Sequence, residues 1–268
     1  MNPLRSTLAV LALVILLPAP AGASSSDVFR TDGGSLRLVT TGLAGPDGIV
    51  RGALEIALEP GWKTYWREPG SSGVPPQIDV SRSLNVLSAE LHFPAPEWHE
   101  DSYGAWAGYG GSVSLPVTFA ISAPDRYSLI EASLFLGICE AICIPVQATL
   151  SVEPGSDPDD AGDRQFVEAA FARLPAPAGA HFGIVEASVS GEVATVAAVL
   201  PDGSGDAELF VAGSEGYVFG IPRKNGSAPG EIVFTLPILE EPKSGGAATI
   251  AYTLVSGGAS VSGDFRLP

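Results

Sequence analysis

"YSLIEASLFLGICEAICIPVQATLSVEP", residues 127–154, reads as two apolar, β-compatible runs on either side of Glu140, Ala141 and Ile142. One run leads into Cys139 and the other starts at Cys143, and these are the two cysteines of the chain. Residues four apart in an extended strand lie ~13 Å apart, beyond the ~7 Å that a disulfide tolerates, so a bridge between them needs a chain reversal. A three-residue hairpin loop supplies one and makes the cysteines facing neighbours on antiparallel strands. A single helical turn also brings them together; the hairpin is preferred because β-compatible residues flank both cysteines and Pro145 follows.

The same texture continues outward. "SLRLVTT" (35–41), "RGALEIALEP" (51–60), "NVLSAELHFP" (85–94) and "GSVSLPVTFAIS" (111–122) alternate or run apolar between Gly and Pro punctuation, the pattern of a β-sandwich. Residues 155–180 interrupt it with an acidic turn, a short helix and a Pro/Ala-rich linker. In the helix, Phe166, Val167, Ala170, Phe171 and Leu174 share a face, and Asp160 or Asp163 can cap its start. From "FGIVEASVSG" (182–191) onward about seven further strands are expected, enough for a second small sandwich over 181–268. The fold class expected is all-β, with two sandwiches joined by the helix and linker.

The first 23 residues carry one positive side chain, Arg5, an apolar run from Leu8 to Leu17 and then Ala21-Gly22-Ala23. This is the pattern of a secretory signal peptide cleaved after Ala23, and its apolar run is too short to span a bilayer. No later stretch reaches the ~20 apolar residues of a membrane span. The expectation is an exported, soluble protein in the periplasm, where two cysteines can pair and stay paired. A formal net charge of −16 argues against nucleic acid and anionic lipid as partners.

On the residues alone, Cys139 and Cys143 stand equally as a structural staple and as a redox pair. The closed loop is so short that the chain-entropy model gives it only ~2 kcal/mol, a poor staple. Together with His92 and His99 the cysteines make four potential metal ligands, but the spacing matches no zinc pattern, and no metal or cofactor is expected. "DPDDAGDRQFVE" (157–168) departs from a calcium loop at Ala161, has Pro158 at its second position and reads as an acidic helix start. The sequence contains no GxSxG, HExxH or phosphate-loop motif, which leaves hydrolase readings unsupported.

"PGWKTYWREPGSSGVPPQID" (60–79), "PAPEWHEDSYGAWAGYGGSVSLPV" (94–117) and "CEAICIPVQATLSV" (139–152) resemble the N-terminal periplasmic domain of the thiol:disulfide interchange protein DsbD, and more closely the related CxxxC proteins that include those named ScsB. The resemblance covers about residues 30–154. It implies an immunoglobulin-like domain, over 24–154, whose cysteine pair relays reducing equivalents from a membrane-embedded thiol reductant to periplasmic disulfide proteins. DsbD carries its membrane and thioredoxin-like parts in the same polypeptide; neither occurs here before Pro268, so the donor is expected to act in trans. The implied reactive residues are Cys139 and Cys143, with Cys143, the second of the pair, forming the mixed disulfide with partners. Asp101 and Tyr103 fall in the segment that caps the cysteines, Tyr103 as the covering aromatic, and Tyr65 falls on the surrounding surface. The best-known members place five residues between the cysteines, against three here.

Local chemistry points the same way. Glu140 sets negative charge beside Cys139 and disfavours its thiolate, whereas Cys143 lies between Ile142 and Ile144. Trp62, Trp66, Trp98 and Trp106 belong either to the surface around the cysteines or to the core. His99 is expected as a strand-end residue without a catalytic role, and the second sandwich offers no chemistry beyond His181 at its entrance. The competing reading is a secreted two-domain binding module with a structural disulfide.

Overall fold

The computed structural model describes residues 24–70, 73–101, 104–201, 206–213, 216–228, 230–242 and 247–268. The signal-peptide reading of residues 1–23 lies outside them. Among the described residues, the regular elements apart from the helix Ala161–Phe171 are strands, as expected of an all-β chain. Among the described residues no helix is long and apolar enough to cross a membrane.

Two sheets build the first sandwich. One runs Phe29–Thr31, Gly34–Thr40, Ile49–Leu58, Val113–Ile121, Val86–Leu91. The other runs Cys143–Val152, Ile130–Cys139, Lys63–Tyr65, Gly104–Tyr109, Glu97–Asp101, with Gln77–Asp79 also paired to Ile130–Cys139. Period-2 alternation fills the space between them: Val146, Ala148, Leu150 and Val152 point inward from one strand, Leu134, Leu136 and Ile138 from its neighbour, and Leu38, Leu54 and Phe119 from the facing sheet.

At the end of Ile130–Cys139 this alternation stops, because Gly137, Ile138 and Cys139 are all buried. Ile138 belongs to the core, whereas Gly137 and Cys139 face the opposite side of the sheet, where other residues cover them. A strand buried on both faces signals that something packs on the outer face of the sandwich.

The helix Ala161–Phe171 starts at Asp160, whose side chain accepts a hydrogen bond from the Asp163 backbone N–H at 2.6 Å. Its buried residues Val167 and Ala170 pack on Val39 and Ala53 of the first sandwich. The Pro/Ala-rich stretch after it is held by the second unit: Ala176–Pro177 pairs in parallel with Ala259–Leu267, and Ala178 packs against the second core.

That unit also has two sheets, Ala176–Pro177, Ala259–Leu267, Ala248–Ser256, Ala207–Ala212 against Gly183–Ser190, Val193–Val199, Glu231–Glu240, Val218–Phe219, with Arg223–Ala228 added to Glu231–Glu240. Val196, Leu209, Phe234, Leu236, Ile250 and Leu254 fill its core. Of this unit's strands, those missing from the sequence reading are Ala176–Pro177 and Arg223–Ala228, each short or polar and defined by the partner it pairs with.

Candidate functional site

Cys139 and Cys143 close the hairpin as directly opposed residues, with Cα atoms 4.1 Å apart and a disulfide between them. The turn Glu140, Ala141, Ile142 is exposed. The two sulfur-bearing residues differ in environment: Cys139 is 1% exposed, whereas Cys143 is exposed.

Burial of Cys139 comes from the short strands beside it. Lys63–Tyr65 pairs with the end of the cysteine strand, placing Lys63 opposite Cys139, and on its other edge places Tyr65 opposite Gly108. Tyr65, itself buried, sets its hydroxyl 3.1 Å from the sulfur of Cys139 and 3.1 Å from that of Cys143. Neither sulfur of a disulfide carries hydrogen, so the phenol O–H is the donor. Trp106 meets the Tyr65 ring edge-on at 5.7 Å, and these two with Cys139 form a small buried cluster on the outer face of the sheet. His99 stacks on Trp106 at 4.2 Å, and the Lys63 ammonium lies 4.3 Å from the centre of the Trp106 ring.

The tryptophans of the sequence reading therefore divide. Trp106 joins the sulfurs, Trp62 packs against the main core, and Trp66 and Trp98 turn to the other face of the short strands, against Phe210 of the second sandwich. Residues 102–103, and with them Tyr103, lie outside the described residues. Asp101 is described only as the last residue of Glu97–Asp101, opposite Gly104. His92 is engaged elsewhere, by the Thr118 hydroxyl and the Phe171 ring, and His181 is exposed. Among the described residues no three His, Cys, Asp or Glu side chains gather as a metal site.

Lys63 escaped the sequence reading. Its signal was its place in "WKTYW", at the start of the strand that meets the cysteines, but no periodicity marks a three-residue strand. At the junction behind the site, burial pushes the Arg67 guanidinium below its ordinary value against the opposing charge of Asp264, and pushes the Tyr109 phenol upward. The half-buried Glu68 carboxyl is likewise raised by burial, opposed by a hydrogen bond from the Gly70 N–H.

A disulfide that closes so short a loop contributes ~2 kcal/mol by chain entropy. Set against a typical total of about 5–15 kcal/mol, its reduction is expected to leave the sandwich folded. Thermal melts with and without reductant check this, and unfolding at room temperature on reduction would identify the bridge as a staple.

Residues 40–153 match the family model of the N-terminal domain of the thiol:disulfide interchange protein DsbD. None of the curated proteins matches the chain in sequence. Among solved structures the chain is similar to the N-terminal periplasmic domain of ScsB from Proteus mirabilis, with a TM-score of 0.76 and 21% identity over 92% of this chain and 99% of that one.

Proposed function

We propose that this protein, whose residues 40–153 match the N-terminal domain family of the thiol:disulfide interchange protein DsbD, passes reducing equivalents through Cys139 and Cys143 to disulfide-bonded proteins of the periplasm. The observation that carries the reading is the asymmetry of the pair, one cysteine exposed and the other buried under Tyr65 and Trp106.

In the loading step a donor thiolate attacks the Cys143 sulfur. The Cys139–Cys143 bond breaks, Cys139 leaves as a thiolate, and a mixed disulfide joins the donor to Cys143. A second thiol of the donor, as thiolate, then attacks the donor's own sulfur in that bond, which frees Cys143 as thiolate and leaves the donor oxidised. Delivery reverses the order: the Cys143 thiolate attacks a substrate disulfide, and Cys139 then attacks the Cys143 sulfur, restoring the bridge and releasing the substrate as a dithiol. Two electrons enter the pair in loading and leave it in delivery, and the donor is a membrane-embedded thiol reductant by family resemblance. The Tyr65 hydroxyl reaches whichever sulfur carries the charge, so it stabilises the leaving thiolate by a charge-assisted hydrogen bond without moving. By family resemblance alone, Asp101 and Tyr103 are assigned to a cap that would limit access until a partner docks.

Redox equilibration with a glutathione or dithiothreitol couple tests this. An exchangeable pair is expected above about −300 mV, and a value below that range would return the protein to the class of binding modules with a structural disulfide.

A further inference from the structure

The three short strands that carry the sulfur site present a second set of residues on their reverse. Where Tyr65, His99 and Trp106 gather around the sulfurs, their chain neighbours Trp66, Trp98 and Ala107 gather around Phe210 of the second sandwich. This is the alternation of a pleated sheet, so each site residue is one bond-step from a residue clamped at the junction. Trp66 is 1% exposed and meets the Phe210 ring edge-on at 5.9 Å, while Trp98 stacks on it at 5.1 Å and donates its indole N–H to the Leu209 carbonyl at 3.3 Å.

Phe210 is unusual on its own strand. Leu209 and Val211 point into the core of the second sandwich, but Phe210 is fully buried on the opposite face, in contact with the first. Its neighbour across the strand pair, Thr253, is buried, and Val255 packs on the same cluster. A phenylalanine that serves its own core would face the other way.

We infer that the second sandwich is a backing plate for the sulfur site, with Phe210 as a positioning residue that fixes Trp66 and Trp98 and thereby holds the Tyr65 hydroxyl on the sulfurs. The inference rests on the thiol-exchange reading only for its biological purpose, since the thiols can be titrated without any partner.

The test is the pH dependence of alkylation of the reduced full-length chain by iodoacetamide, in parent, Tyr65→Phe, Phe210→Ala and the double variant. Loss of the Tyr65 hydrogen bond raises the pH at which the reactive thiol ionises, slowing alkylation near neutrality by about threefold to tenfold. Phe210→Ala is expected to shift the profile in the same direction, and the double variant no further than Tyr65→Phe alone, because the two substitutions remove one interaction. Phe210→Leu, which keeps an apolar side chain in the junction, gives a smaller shift and serves if the alanine variant does not fold. An unshifted Phe210 profile, additive shifts in the double variant, or no effect of Tyr65→Phe would each overturn the assignment. Failure of the relay itself is read separately, from the reduction potential, which these outcomes do not decide.

Discussion

Cys139→Ser is expected to capture a partner as a stable mixed disulfide, and Cys143→Ser to capture about tenfold less or none. In the first variant the remaining thiol is the exposed one, at the mouth of a hairpin whose tip residue Ile142 is 70% exposed. In the second it is Cys139, 1% exposed and closed in by Tyr65 and Trp106, where an incoming disulfide cannot line up three sulfurs without displacing two aromatic rings. Capture also persists only when no resolving thiol is left to release the partner, which holds for either single variant, so access alone separates them. Non-reducing gels of periplasmic extracts, followed by identification of the retained protein, read the result. Equal capture by both variants would show that burial of Cys139 does not control reactivity. Capture through Cys139 alone would reverse the two roles.

Gly108→Val is expected to lower stability by about 3 kcal/mol and to disrupt the sulfur site with it. Gly108 lies between Tyr65 on one side and Glu97 on the other, in the middle of the strands that cover Cys139. A Cβ there would stand 2.4 Å from the Thr64 carbonyl oxygen, 3.0 Å from the Tyr65 Cα and 3.0 Å from the Trp106 ring. Two of these neighbours are backbone, so relief requires Lys63–Tyr65 to move, and Tyr65 carries the hydroxyl that touches both sulfurs. Gly111→Ala is the control: a Cβ at Gly111 meets nothing within 4 Å, and its effect should stay within about 0.5 kcal/mol. Denaturant midpoints measure the first effect, and the alkylation rate of the reduced pair measures the second. A Gly108→Val protein as stable as the Gly111→Ala control would mean that the short strands tolerate displacement and do not position the site.

The hairpin was readable from residues 127–154 because its strands are long and β-compatible, and a turn is the simplest way to bring two cysteines four apart into contact. The same holds for Ile49–Leu58 and Val113–Ile121, where inward Leu, Ile, Val and Phe recur at every second position. A helix start at Asp160 or Asp163 was likewise legible, since an acidic side chain before an apolar periodic run satisfies the free N–H groups of a first turn, and the structure takes Asp160. Local preference and burial pointed to one answer in each case.

The surroundings of the sulfurs were decided by tertiary pairing. Lys63–Tyr65 is too short to have a period, and Glu97–Asp101 and Gly104–Tyr109 are built from aromatic, charged and glycine residues that suit strand or loop. Nothing local could show that Tyr65 faces the sulfurs while Trp66 faces Phe210, because both are large aromatics and only the register against Ile130–Cys139 and Gly104–Tyr109 assigns their sides. The unequal burial of the two cysteines has the same origin. By itself the sequence determined the all-β class and the hairpin that opposes Cys139 to Cys143; which cysteine is covered, by which rings, and what stands behind them was settled by long-range strand pairing, whose partners are far apart in the chain and whose register fixes which face each side chain takes.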